Sequence, residues 1–152
     1  MFQFIEQVKE NSKINVCGKI YTAVAKTIYV TEQEPNNWYV KLVMDDHSIL
    51  VLAPFDDFIY FGTINNIFGE SSSFKDDLIY NSCKFSKVAE DYQIVKNLVF
   101  GNPLTSEGEV HYADYTAEEN EDVYISLAVV SRTKKRADIV AKILSLSDLS
   151  ME

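Results

Sequence analysis

Apolar residues recur at every second position along most of this chain, a period that predicts strands. The exception comes first. Phe2, Ile5 and Val8 stand three apart, which predicts a short helix over residues 2–10, ended by Asn11 and Ser12. From Ile14 the period falls to two. Ile14 and Val16, then Ile20, Thr22 and Val24, alternate with polar or small neighbours, and Gly18 between them predicts a bulge or bend. Residues 27–32 form a further β-branched run. Glu34-Pro35-Asn36-Asn37 predicts a turn, because Pro presets φ and Asn tolerates left-handed backbone.

Residues 38–44 (WYVKLVM) form a strong strand pattern, Asp45-Asp46-His47-Ser48 a tight hairpin turn, and residues 49–53 (ILVLA) the returning strand. That last run is apolar without alternation, which predicts burial on both faces. Residues 58–64 follow as a strand and residues 69–77 as a loop. Residues 83–89 and 93–100 flank Glu90-Asp91-Tyr92, which predicts another hairpin. Turns are expected at Gly101-Asn102-Pro103 and Glu107-Gly108-Glu109, and strands at 110–115 and 123–131. Residues 139–144, inside the segment 137–146, suit a helix by composition and a closing strand by rhythm. The expected fold class is mainly β: an antiparallel sandwich or partly open barrel of about 8–10 strands with a short N-terminal helix. Its length of 152 residues predicts one domain spanning 1–152.

Composition sharpens this picture in one respect. Nine Phe, nine Tyr and one Trp suit pleated, half-buried surfaces. Their plain role is core and cross-strand packing, and the alternative is a ring-lined binding face. Charge narrows the partners. With 23 acidic against 14 basic residues the net charge is −9, which disfavours nucleic acid and anionic membrane surfaces and admits a basic protein partner. The first ten residues carry Glu6 and Glu10 where a secretion leader needs an apolar stretch. Cys17 and Cys83 are therefore expected to be reduced and buried, in a soluble, cytoplasmic protein.

The order of features resembles the bacterial domain-of-unknown-function family numbered 4178. The first half of the resemblance rests on Gly18, residues 21–30, Trp38 within residues 37–42, and residues 49–54 ending at Pro54. The second half rests on Gly101 and Pro103, Gly108 and Glu109, Asp114 and Tyr115, then residues 125–127. It spans roughly residues 16–130. Two positions depart from the family pattern: Leu52 or Phe55 stands where a Trp is expected, and Val129 and Val130 where an acid is expected. The resemblance implies a β-rich bacterial intracellular module with no established reaction and no known cofactor.

Candidate chemistry is sparse. Cys17, His47, Cys83 and His111 are spread about thirty residues apart, unlike the close pairs of structural zinc sites, so no metal is expected. No signature of a cysteine nucleophile surrounds either thiol. Phosphate-cradling loops, the serine elbow and the zinc-protease helix are absent from the sequence. Glu107, Glu109, His111 and Asp114 form the densest mixture of carboxylate and imidazole. On a strand, Glu109, His111 and Ala113 share one face. Glu109, His111 and Asp114 are the candidate ligand-binding residues, and a solvated sheet face is the plain alternative. Asp45-Asp46 and Asp56-Asp57 suit turns and caps.

Glu118, Glu119, Glu121 and Asp122 form an acidic loop, and residues 132–136 (RTKKR) a basic turn, near opposite ends of one predicted strand. The acidic loop is the candidate partner-binding surface. Three functional readings follow. The first is a small acidic, cofactor-free protein-interaction module of the immunity, inhibitor or adaptor type, with a homodimer as one arrangement. The second is a small-ligand or nucleotide-binding β-module with weak hydrolase activity around Glu109, His111 and Asp114. A nucleic-acid mimic ranks third, because the acids cluster in loops.

Overall fold

The computed structural model describes residues 1–65, 74–102 and 108–152. Part of the expected loop 69–77, and the turn residues Pro103 and Glu107, lie outside the described residues.

Helix α1 (Phe2–Gln7) buries Ile5 and leads to the equally buried Val8. Six residues are too few to hold a helix in isolation, so packing holds this one. A hairpin follows, of β1 (Lys13–Val16) and β2 (Lys19–Thr31). Cys17 and Gly18 make its two-residue turn, with φ of 51° and 87°. Paired positive φ values match the twist of the flanking strands. Gly18 is thus the tip of a hairpin rather than a bulge. Cys17 beside it is exposed, against the expectation of a buried thiol, while Cys83 is half-buried and both are free.

Strands β3 (Trp38–Met44), β4 (Ile49–Ala53) and β5 (Phe58–Ile64) continue from β2 as an antiparallel meander. A second meander comprises β7 (Cys83–Phe100), β8 (Glu109–Thr116), β9 (Val123–Val130) and β10 (Ile139–Leu144). Strand β10 pairs with β5, and β7 pairs with the second half of β2 through Lys26–Thr31. These two seams close a ring of eight strands in the order β2-β3-β4-β5-β10-β9-β8-β7. Closure leaves the ring no free edge. Three short strands lie outside it: β1, β6 (Asp77–Tyr80) paired with the start of β7, and β11 (Leu149–Met151) paired with β1. The expected mainly β antiparallel fold with an N-terminal helix is therefore present, with its barrel closed.

Gly62 sits on one closing seam opposite Ala141. A Cβ at that position would strike the Val140 carbonyl oxygen and Ala141, so the strands meet there only because the residue is glycine.

Two sequence expectations change. No hairpin forms at Glu90-Asp91-Tyr92. β7 runs straight through, with Glu90 opposite Ala113, Asp91 opposite Tyr112 and Tyr92 opposite His111. The polar side chains find partners on the strand and on its neighbour β8: Glu90 with Lys87 and with His111 of β8, and Asp91 with the Tyr92 N–H. Nothing then favours a turn. Residues 139–144 resolve as strand, because the ladders of β5 and β9 receive them on both edges.

Both faces of the ring are covered in places. Outside β3 to β5, residues Val40, Leu42, Leu50, Leu52 and Ile59 pack under α1, β1 and β11. Outside β8 and β9, Ala113, Tyr115, Ile125 and Leu127 pack under Phe74 and Phe85. Strands clothed on both sides read as unbroken apolar runs, as in β4 and β9. Each large side chain buried this way contributes about 1.5–3 kcal/mol relative to exposure.

Candidate functional site

Alternation decides which residues enter the ring. Tyr39 and Lys41 of β3, Val51 of β4, Phe58 and Tyr60 of β5, Tyr112 and Asp114 of β8, and Tyr124 and Ser126 of β9 point inward. They line a cavity of about 520 Å³. Away from its mouth the ring is filled by Ile49, Ile139, Ala141, Val110, Ala128 and Val130. At the mouth the cavity is bounded by Gln33, Glu34 and Asn37 between β2 and β3, Asp56 between β4 and β5, and Glu90 and Asp91 of β7. The antiparallel ring places the exposed β8–β9 turn, with Glu118, Glu119, Glu121 and Asp122, at this same end.

The walls are aromatic. Phe58 and Tyr60 each lie against Tyr124, with ring centroids 4.9 Å apart in both pairs. Tyr29 and Tyr39 stack at 5.5 Å. Within these walls lies a small polar set. Lys41 is 4% exposed, Gln93 2% and Ser126 6%. Burial pulls the Lys41 ammonium down to about 8, opposed by the charge of Asp114. Burial raises the Asp114 carboxyl, opposed by hydrogen bonds from Ser126 and Tyr124 and by Lys41. Burial also pushes the phenols of Tyr39, Tyr60, Tyr112 and Tyr124 upward. Among the described residues, Asp114 Oδ1 and Gln93 Nε2 are buried and meet no hydrogen-bond partner. Each such atom costs about 1–3 kcal/mol unless something else satisfies it.

The sheet separates the three sequence candidates. Asp114 lines the cavity, whereas His111 lies on the outer surface. There His111 stacks on Tyr92 at 4.6 Å and meets Glu90 Oε1 at 2.9 Å through Nε2. Glu109 accepts a hydrogen bond from Ser131 Oγ at 3.0 Å. Residues two apart share a face, but 111 and 114 do not. A hollow of about 400 Å³ beside His111 is lined also by Phe74, Ser131 and Lys134. Glu118, Glu119, Glu121 and Asp122 are exposed, and the basic turn lies at the other end of β9.

Sequence reasoning missed Lys41, Gln93 and the tyrosine walls. One signal was available: a lysine amid the apolar run of β3, and a serine amid that of β9, are out of place unless they face something polar. Among the described residues no three or more His, Cys, Asp or Glu gather as a metal site, and no helix is long and apolar enough to cross a membrane. No family model, curated protein or solved structure matches this chain.

Proposed function

We propose that the protein is a small-molecule-binding barrel whose ligand has an aromatic or apolar body, a few polar groups and no negative charge. The observation that carries this is a pair of buried, unpartnered atoms on residues that line the cavity, Asp114 Oδ1 and Gln93 Nε2. An apolar space with a few convergent polar groups is the usual form of a ligand site, and a ligand offering one donor and one acceptor would complete both atoms. The acids at the mouth, Glu34, Asp56, Glu90 and Asp91, disfavour nucleotides and other anions. Because Glu109 and His111 stand outside the ring from Asp114, no hydrolytic step is assigned to the three.

Binding of the neutral fluorophore N-phenyl-1-naphthylamine tests the proposal, with Val51→Trp as the variant that fills the cavity. Enhanced fluorescence with the wild-type chain, lost in Val51→Trp, is expected. Equal enhancement in both would place the probe elsewhere and defeat the proposal.

A second reading, a protein-interaction module, draws on a different observation. Glu118, Glu119, Glu121 and Asp122 are exposed, and among the described residues none makes an ion pair. Such a rim suits a basic partner segment. Retention of a lysine-rich peptide, abolished when the four are changed to Asn or Gln, is the expected result. A second copy of the chain is the other candidate partner, through exposed Val88, Ile94 and Leu98 on β7, and light scattering across a concentration series decides it. The two free thiols fit a cytoplasmic setting, and membership of family 4178 stays a proposal resting on the residues quoted above.

A further inference from the structure

Lys41 occupies a position where a lysine weakens the fold. It lies on the inner face of β3, 4% exposed, where a Met or Leu would pack without the cost of stripping water from a charge. Among the described residues no carboxylate comes within ion-pair distance of its ammonium and no hydrogen bond reaches it. Its neighbours are ring faces: Tyr29 at 4.9 Å and Tyr39 at 5.8 Å from Nζ. Such contacts offset only part of the cost. Asp114, also lining the cavity, acts on it through space. The other titratable groups facing the cavity are phenols held neutral by burial and, at its mouth, the carboxyl groups of Glu34, Asp56, Glu90 and Asp91.

The consequence is chemical. With its pKa brought to about 8, the amine carries a free lone pair in a substantial fraction of molecules at neutral pH. Against an ordinary lysine near 10.4, that fraction at pH 7.5 is larger by roughly 200-fold. A desolvated, partly neutral lysine inside a water-poor pocket is the form in which amines attack carbonyl groups.

We propose that Lys41 captures a carbonyl compound, its Nζ condensing with the aldehyde or ketone of a small molecule enclosed by the tyrosine walls. The inference rests on the ligand-binding reading above and names the ligand's reactive group. Nζ gives its lone pair to the carbonyl carbon, and the carbonyl oxygen takes up the proton that nitrogen loses, forming a carbinolamine. Asp114, which lines the cavity and whose Oδ1 is unpartnered, gives a proton to the hydroxyl. Water leaves as the C=N bond forms, and Asp114 recovers its proton from nitrogen. The net change is one amine and one carbonyl to one imine and one water, with no oxidation or reduction. The acids at the mouth select neutral or cationic carbonyl compounds over keto acids and phosphorylated aldehydes.

Reductive trapping tests this on the full chain. The protein is incubated at pH 7.5 with 2-naphthaldehyde and sodium cyanoborohydride, and the adduct is located by peptide mass mapping. Among the lysines the fast adduct is expected on Lys41 alone, forming on the order of a hundredfold faster than on Lys84, whose side chain is 64% exposed. The 6-carboxy analogue should react at least about tenfold more slowly. Lys41→Met should lose the fast adduct while Lys84 is labelled at the wild-type rate. Should that variant not fold, the comparison of Lys41 with Lys84 within the wild-type chain still decides. Probe binding in the cavity with labelling no faster at Lys41 than at Lys84 overturns the imine and leaves the binding barrel standing. Absence of both binding and labelling overturns the two together.

Discussion

Arg136 grips Asp138 with two nitrogens, Nε donating to Oδ1 at 3.1 Å and Nη2 to Oδ2 at 2.8 Å, while the Asp138 side chain is wholly buried. The same Oδ1 accepts the Ala128 N–H at 3.2 Å. The pair stitches the entry of β10 onto β9 at the filled end of the ring. Breaking one half strands the other. Asp138→Ala is expected to cost about 3–5 kcal/mol of stability in urea unfolding, with Arg136→Met together with Asp138→Leu recovering most of it. Single-variant losses under about 1 kcal/mol would show that water reaches the pair.

Stability should depend on alkaline pH through Lys41. Its folded pKa, about 8, lies below the ordinary lysine value of 10.5. Below pH 8 both states hold the proton and the folded state bears the cost of burying it. Between about 8 and 10.5 the unfolded chain keeps a proton that the folded one has lost, so this group's contribution to stability rises with pH by up to about 3 kcal/mol. Lys41→Met should remove the rise and be the more stable chain at pH 7. Urea midpoints across this range check it, and parallel curves for the two chains would count against a buried amine.

The tyrosine walls should resist ionisation. Burial holds Tyr39, Tyr60, Tyr112 and Tyr124 above the ordinary phenol range, and Tyr115 on the outer cluster is pushed up to about 12. Ultraviolet titration of the native chain should therefore leave a fraction un-ionised well above pH 10, whereas the chain in guanidinium titrates all nine together near 10. Coincident native and unfolded curves would mean that water fills the ring.

Helix α1 depends on one distant side chain. Lys26 of β2, 6% exposed, donates to the carbonyl oxygens of Ile5 at 2.5 Å and Val8 at 3.1 Å. These are carbonyls a helix leaves open at its end. Lys26→Met should leave both without a donor, costing about 1–3 kcal/mol, and should speed tryptic cleavage after Lys9. Cleavage at the wild-type rate would show that apolar packing alone anchors the helix.

Much of the fold is legible along the chain. The stripe of Phe2, Ile5 and Val8 marks α1, the unbroken ILVLA run marks a strand covered on both sides, and Asp45 to Ser48 marks a turn, because each signal is local. Glu90-Asp91-Tyr92 misleads for the complementary reason: its turn-like composition is overruled by partners on β8, at positions 111–113.

The candidate site is decided at longer range. Alternation shows that each strand has two faces, and it cannot show which face ends up inside, since that depends on register and on where the ring closes. Closure joins Lys26–Thr31 of β2 to residues 93–100 of β7, far apart in the chain. That seam sets Lys41, Gln93, Asp114 and Ser126 around one space and leaves Glu109 and His111 outside it. Strand period and turn chemistry are properties of neighbouring residues, and so they stand written in the sequence. The cavity exists only where strands remote in sequence enclose it, because burial and charge act through space rather than along the chain.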